Sequence, residues 1–404
     1  MRSNRLLKAA DLAVFGIVSG LLWLCETVLR ALSRRWRTRD VGQVQVRSIL
    51  VIKLCCMGDG VLAVPAIRAL KRHFPQARLV LLCTPRNDGV FEGLPFVDQL
   101  VRLEVTGLHG PRELFWTGPA ALLRVLRALR GARPDVAVDL DLYYRLTPVL
   151  AFLAGAPIRA GFDIPGQHRG LLLTHRVARP RSRHELECFL DIVAALGAPP
   201  AGKELEIAVP QEHEERARRL WVDLGLNEKE RVVALFPGSS KNWPVKQWRA
   251  EGFAEVGDRL AAEQGLRPLI LGAPFEKDLA QQVAGAMRSA PVVAAGRTDV
   301  KTLAALLKRC ALLVTNDTGP MHLGAAVGVP VVAIFGMTND QKWRPWGDQH
   351  ELVVGNCQKR PCYYLSNMPR CDHLECIRAI PADEVYAAAL RALSRERHAQ
   401  AGRC

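Results

Sequence analysis

A chain of 404 residues, 49% hydrophobic and 24% charged, has globular composition and length for two or three domains with ample cores. Its 55 Lys and Arg against 40 Asp and Glu give a formal charge of +15, which selects anionic partners: phosphorylated small molecules, acidic membrane surfaces or nucleic acid. Nucleic acid is set aside, because the chain carries no zinc-finger or RNA-binding signature and its 6% aromatic content offers no stacking platform.

Residues Leu12 to Cys25 form a nearly continuous apolar stretch, short of the ~20 residues a spanning helix needs unless it runs on through Glu26 and Arg30. Arg2, Arg5 and Lys8 precede it, and Arg30, Arg34, Arg35, Arg37 and Arg39 follow. Basic residues on both sides, with no small-residue cleavage site, disfavour a secretory signal. Residues 1–46 are therefore expected to form an apolar helix that anchors the protein at the cytoplasmic face of a membrane. Whether Leu12 to Leu32 spans the bilayer or lies on it stays open. Eleven cysteines are too dispersed for a small disulfide scaffold; Cys55, Cys56, Cys83 and Cys310 sit in apolar runs as small hydrophobes, and a reducing compartment is expected.

Ser48 to Leu54 reads as a short strand that turns through Met57-Gly58-Asp59-Gly60 into a helix over Val61 to His73. Strands follow at Ala77 to Cys83 and Asp135 to Leu140, with a helix over Pro119 to Arg130 between them. The pattern weakens at Ala198-Pro199-Pro200. From Arg231 it restarts, with strands at Val232 to Phe236, Pro268 to Leu271, Val292 to Ala294, Ala311 to Thr315 and Val331 to Phe335. Helical stretches such as Trp248 to Gln264 and Lys301 to Arg309 separate them. This alternation predicts an α/β chain of two Rossmann-like domains, over 47–200 and 231–385, with a linker over 201–230, a tail over 386–404 and a cleft between facing domains. Ligands of such sheets bind beyond the carboxyl ends of the strands, so motifs there carry the chemistry.

One such motif is Asn316-Asp317-Thr318-Gly319-Pro320-Met321-His322-Leu323, a polar loop that opens a helix of small residues. Free backbone N–H groups and the positive end of the helix dipole suit a diphosphate there, with Gly319 allowing close approach and Thr318 and His322 donating. From chemistry alone, a plain N-cap at Asn316 or Asp317 fits as well.

These residues, followed by Gly328-Val329-Pro330-Val331-Val332-Ala333-Ile334-Phe335-Gly336, resemble the signature of the heptosyltransferase family of lipopolysaccharide glycosyltransferases, glycosyltransferase family 9. Further matches occur in order: Ile49-Leu50-Val51-Ile52-Lys53-Leu54 with Gly58-Asp59 and Pro65-Ala66-Ile67-Arg68-Ala69-Leu70-Lys71; Phe236-Pro237-Gly238-Ser239-Ser240 with Lys241-Asn242-Trp243-Pro244; and, more weakly, Gly272 with Glu276. The resemblance covers about residues 47 to 390. It implies the two-domain GT-B fold and an inverting transfer of a sugar, with ADP-heptose the favoured donor, onto a lipid-linked, phosphorylated saccharide, without metal or other cofactor.

The resemblance also implies residue roles. Asp59 would be the general base that takes the acceptor proton; set at a helix start, its pKa is expected to be depressed, keeping it ionised but weak. Lys241 would offset the charge that develops on the departing diphosphate. Ser239 and Ser240 would add donors beside it, Glu276 would hold the donor nucleoside, and Asp317, Thr318, Gly319 and His322 would complete the donor site. Asp139-Leu140-Asp141 is the spacing of a cation-binding pair in a different glycosyltransferase fold. Here it closes a strand of the acceptor half, where the family commonly has one acidic position followed by a polar residue, so Asp141 is expected to touch the acceptor. Cys357, Cys362, Cys371 and Cys376 are spaced more widely than a tight zinc knuckle, and metal, disulfide and free-thiol readings all remain.

Two rival classes remain. A nicotinamide-dependent oxidoreductase would need a Gly-x-Gly-x-x-Gly turn after a strand, and none is present. A non-catalytic binder on the same fold would have no use for Asp59, Lys241 and Asp317.

Overall fold

The computed structural model describes residues 5–33, 36, 40–104, 118–240, 243–362, 371 and 373–401. It divides into two compact units, Met1–Lys203 and Glu204–Cys404.

Unit 1 holds six parallel strands: β1 Ser48–Ile52, β2 Arg78–Cys83, β3 Gln99–Arg102, β4 Val136–Asp139, β5 Ile158–Phe162 and β6 His175–Val177. Their order is β3-β2-β1-β4-β5-β6. Every residue of β1, β4 and β5 is buried, the mark of parallel strands covered on both faces, and explains the near-continuous Val, Ile and Leu. Numbering helices of eight residues or more, the covering elements are α1 Arg5–Leu32, α2 Met57–His73, α3 Gly118–Gly131, α4 Leu146–Leu153 and α5 Glu185–Ala194.

Unit 2 repeats the plan with β7 Val232–Phe236, β8 Arg267–Ile270, β9 Val292–Val293, β10 Leu312–Asn316, β11 Val331–Phe335 and β12 Glu351–Val354, in the order β12-β11-β10-β7-β8-β9. Its helices are α6 Gln211–Asp223, α7 Ala250–Gln264, α8 Lys277–Ala286, α9 Val300–Leu307, α10 Gly319–Ala326 and α11 Ala382–Ala401. Both sheets have the doubly wound order in which direction of travel reverses between the first and fourth strands. In unit 1 that point lies between β1 and β4, where Ile52 pairs with Asp139. In unit 2 it lies between β7 and β10, where Phe236 pairs with Thr315.

The predicted linker and tail are structural parts of unit 2. Ala217, Leu220 and Trp221 of α6 join the core cluster that contains β7 and α9. Val385, Tyr386, Ala388, Ala389, Ala392 and Leu393 of α11 pack with α7. The N-terminal helix is likewise no separate segment. Val18, Leu22 and Leu29 pack with Trp36 against Val149, Phe152 and Leu172. Glu26, at 1% exposure, forms a 2.7 Å ion pair with the fully buried Arg159 of β5. Among the described residues no helix is long and apolar enough to cross a membrane.

Candidate functional site

The base position is built by the β1–α2 turn. Cys56 adopts φ 56°, an uncommon backbone for a residue with a side chain, and the chain reverses there so that Asp59 falls in the first turn of α2. Cys55 and Cys56 are joined by a disulfide, which departs from the expectation of two reduced, apolar-packed cysteines. Asp59 is 7% exposed, and its Oδ2 lies 3.6 Å from Nζ of Lys53, a wholly buried residue that follows β1. Burial pushes the Asp59 carboxyl up from 3.8 to about 6, against the lowering charge of Lys53 and with smaller raising contributions from Glu185 and Asp141. The sequence-level expectation of a depressed pKa is therefore reversed, because desolvation outweighs the helix start. A base whose pKa lies closer to working pH is the stronger catalyst.

Asp139 and Asp141 lie behind this turn. Asp139 accepts from Arg169 at 2.7 Å and from Thr147 at 2.8 Å. Asp141 is fully buried and accepts four backbone N–H groups: Leu54 and Cys55 on Oδ2, Tyr143 and Tyr144 on Oδ1. Burial acts to raise its pKa, but Lys53, Arg169 and those N–H bonds bring it below the ordinary value. Asp141 thus ties β1 to the loop after β4, which corrects the expected acceptor contact. Its lone pairs are spent on the fold, and Asp139 is committed to Arg169, so neither is free for a cation.

The second half-site stands at the corresponding point of unit 2. Asn316 ends β10 wholly buried; its Nδ2 donates to the Pro237 and Gly238 carbonyls at 2.7 and 3.1 Å, and its Oδ1 accepts from Trp248 N at 3.0 Å. That clip fixes the loop after β7 beside the start of α10. Thr318 occupies the N-cap of α10 without a side-chain capping bond, its hydroxyl turned to the Asn316 carbonyl instead. The helix start, with Gly319 at its head, therefore presents backbone N–H groups that no side chain caps, as an anion site requires. Asp317 is the residue that sequence reasoning left incomplete. Its Oδ2 accepts from Lys246 Nζ at 2.8 Å and Thr338 Oγ1 at 2.6 Å, two partners distant in sequence. His322 is buried on α10.

Ser239 is buried and donates to the Trp243 carbonyl at 2.9 Å, whereas Ser240 is exposed. Glu276 is buried; burial raises its pKa against lowering bonds from the Ala273 and Ser239 N–H groups, and its Oε2 accepts from Ala273 N at 2.7 Å. It buttresses the loops after β7 and β8. Gly238 is required beside it, since a Cβ there would stand 2.1 Å from Glu276 Oε1. Lys241 lies outside the described residues. Cys357, Cys362, Cys371 and Cys376 are free thiols. Burial pushes Cys376 up to about 11, with Cys362, Cys357 and Cys371 near enough to add to the effect. Among the described residues no group of three or more His, Cys, Asp or Glu is arranged to hold a metal.

Two Rossmann-like units in one chain, one with a buried carboxylate at its switch point and one with an open helix start at the same place, define a glycosyltransferase of the GT-B class. The family profile of glycosyltransferase family 9 (heptosyltransferase) matches residues 122–369. The chain belongs to that family. It is 22% identical over 311 residues to the lipopolysaccharide core heptosyltransferase OpsX of Haemophilus influenzae, covering 76% of this chain and 84% of that protein. It is 25% identical over 357 residues to lipopolysaccharide heptosyltransferase 3 of Escherichia coli, covering 85% and 98%. Among solved structures, a family 9 glycosyl transferase from Veillonella parvula superposes with a TM-score of 0.73 at 25% identity, over 87% of this chain and all of that one. The ADP-heptose lipopolysaccharide heptosyltransferase II of Escherichia coli superposes at 0.68 and 19% identity, over 87% and 99%, which speaks for the fold.

Proposed function

We propose that the protein transfers heptose from ADP-heptose onto a phosphorylated sugar of a lipid-linked lipopolysaccharide core, at the cytoplasmic face of the inner membrane, with inversion and without a metal ion. The observation that carries the reading is Asp59, a nearly buried carboxylate with a pKa of about 6 and one oxygen free of hydrogen bonds. In the transfer, the acceptor hydroxyl gives its proton to Asp59 as its oxygen bonds to the anomeric carbon. The bond from that carbon to the diphosphate oxygen breaks, and ADP departs with the electron pair. Attack from the face opposite the leaving group inverts the anomeric centre. The charge growing on the diphosphate is met by the open start of α10 and by Lys241, which does the work a metal would do elsewhere. The basic balance of the chain favours both the donor and a phosphate-bearing acceptor.

The test is ADP release from ADP-heptose with and without detergent-dispersed, core-truncated lipopolysaccharide, for the wild type and Asp59→Asn. Acceptor-dependent release should fall by about a hundredfold or more in the variant, the upper range for a removed acid-base group, with donor KM nearly unchanged. Near-wild-type turnover in Asp59→Asn would remove the base from its role. ADP-heptose left untouched by the wild type, with another nucleotide sugar consumed, would reassign the donor.

A further inference from the structure

Helix α1 has two apolar faces, and only one is covered. The inner face carries Val18, Leu22 and Leu29 into the cluster with Phe152 and Leu172, and Glu26 into its ion pair with Arg159. The guanidinium of Arg159 also lies over the Trp36 and Phe152 rings, at 5.5 and 5.4 Å, so the pair is enclosed on its far side. On the outer face Ile17, Leu21, Leu24, Val28 and Leu32 follow one another at four, three, four and four residues, a single stripe about 22 Å long at the rise of a helix. Trp23 flanks it, and these side chains are between 48% and 79% exposed. Six of the nine exposed large hydrophobic residues among those described thus lie on this one helix, which makes it a patch rather than scatter.

The charge around the stripe selects what covers it. Residues 1–46 hold eight Lys and Arg against three Asp and Glu, and one of the three, Glu26, is neutralised internally by Arg159. A second copy docked through the same stripe would bring like charge against like charge. Insertion across a bilayer would strip Glu26 from Arg159 and carry it into hydrocarbon. A surface that offers anionic headgroups above an apolar layer satisfies the stripe and the basic flanks together.

We propose that the outward stripe of α1 is a membrane-docking surface for an anionic lipid leaflet, built into unit 1 by the Glu26–Arg159 pair. The inference rests on the reading of the acceptor as lipid-linked. It also has a geometric consequence. Arg159 on β5 and Arg169, which donates to Asp139 behind the base, are ten residues apart on one continuous segment, and α1 packs on the short turn Arg169–Leu172 of that segment. The membrane-facing helix and the acceptor half-site therefore share a support, so docking presents Asp59 at a fixed height above the leaflet.

The experiment is flotation of the full chain with vesicles of phosphatidylethanolamine and phosphatidylglycerol, and with phosphatidylcholine alone, in the absence of donor and acceptor. The wild type should float with the anionic vesicles. The triple variant Leu21→Asn, Leu24→Asn, Val28→Asn should lose at least tenfold in bound fraction while keeping the thermal midpoint and monomer mass of the wild type; Leu24→Glu alone gives the same comparison if the triple variant does not fold. Equal flotation of variant and wild type overturns the proposal, as does a wild-type dimer that the variant dissociates, which would make the stripe a self-interface. Because no substrate is present, failure here leaves the transfer reading standing. ADP-heptose left uncleaved by a protein that floats would count against the transfer reading alone.

Discussion

Lys53 Nζ lies 3.6 Å from Asp59 Oδ2 and 3.8 Å from Asp141 Oδ2, and neither the ammonium nor that oxygen of Asp59 makes a hydrogen bond. The pair is close enough for charge attraction and too long for bond formation. Lys53 thus restrains the rise that burial imposes on Asp59 while leaving its oxygen open to an incoming hydroxyl. One cation serves two carboxylates of different fate, since Asp141 is held permanently charged by its four N–H donors.

The acid limb of kcat/KM should accordingly fall at about pH 6, dropping tenfold per pH unit below it, because Asp59 must be ionised to accept a proton. Lys53 lowers the Asp59 pKa, so Lys53→Met should shift the limb to higher pH, and Lys53→Arg should return it toward the wild-type position. A limb that stays put in Lys53→Met would show that another group titrates. Removing the ammonium leaves Asp141 buried without its cation, a cost of about 3–5 kcal/mol, so Lys53→Met should also melt earlier.

Lys246 and Lys241 should separate by kinetics. Lys246→Met leaves Asp317 without its cation beside the open start of α10, where a free carboxylate repels a diphosphate. Donor KM should rise roughly tenfold, an effect of about 1.4 kcal/mol, with kcat less affected. Lys246→Arg should recover most of the loss. Lys241→Ala should weaken donor binding and turnover together, because the charge it offsets is present in the ground state and grows in the transition state. Initial rates of ADP release across donor concentration make the comparison, and an unchanged KM in Lys246→Met would reduce the Lys246–Asp317 pair to a structural contact.

These residues also show where the sequence stops being readable. The strands Val232–Phe236 and Val331–Phe335 agree residue for residue with the pattern, because fully buried parallel strands read as continuous β-branched runs. The weaker edge strands Gln99–Arg102, His175–Val177 and Glu351–Val354 escape it, since a half-exposed strand of three or four residues has no distinct period. Lys53 had a signal, a lone charge inside an apolar strand run, where an unpaired Lys is rarely buried. Its partners did not: Asp59 and Asp141 approach it only through the turn at Cys56 and the loop after β4. The Lys246–Asp317 pair spans 71 residues and depends on the Asn316 clip. Asp141 was misread because spacing shows that two carboxylates lie on neighbouring positions and says nothing about which backbone N–H groups will consume them.

Transfer should be indifferent to a saturating chelator. Arg169 and Thr147 hold Asp139, backbone N–H groups hold Asp141, and a divalent ion would have to displace both sets. Initial rates with and without chelator decide the matter. A collapse restored by magnesium or manganese would make the two aspartates ligands and require Arg169 to swing away.

By composition residues 1–40 read as a separable anchor, and their removal would then leave a soluble enzyme of normal stability. The packing of α1 predicts otherwise. Deletion uncovers Phe152, Val149 and Leu172 and leaves Arg159, wholly buried on β5, without the carboxylate that balances it. Arg159 would keep its bonds to the Ala156 and Pro157 carbonyls, which satisfy its N–H groups without neutralising its charge. Glu26→Ala isolates the electrostatic part: breaking one buried pair costs about 3–5 kcal/mol, or about 10 °C in the melting of a unit this size. Glu26→Gln should fall between, because it keeps a hydrogen-bond acceptor. The truncated chain should melt lower still, since it also loses the apolar cover, and its soluble yield should fall. Thermal melts of the four proteins make the comparison. A truncated chain that melts with the wild type would show that α1 leaves the domain surface freely, and the shared support for membrane and acceptor would be lost with it.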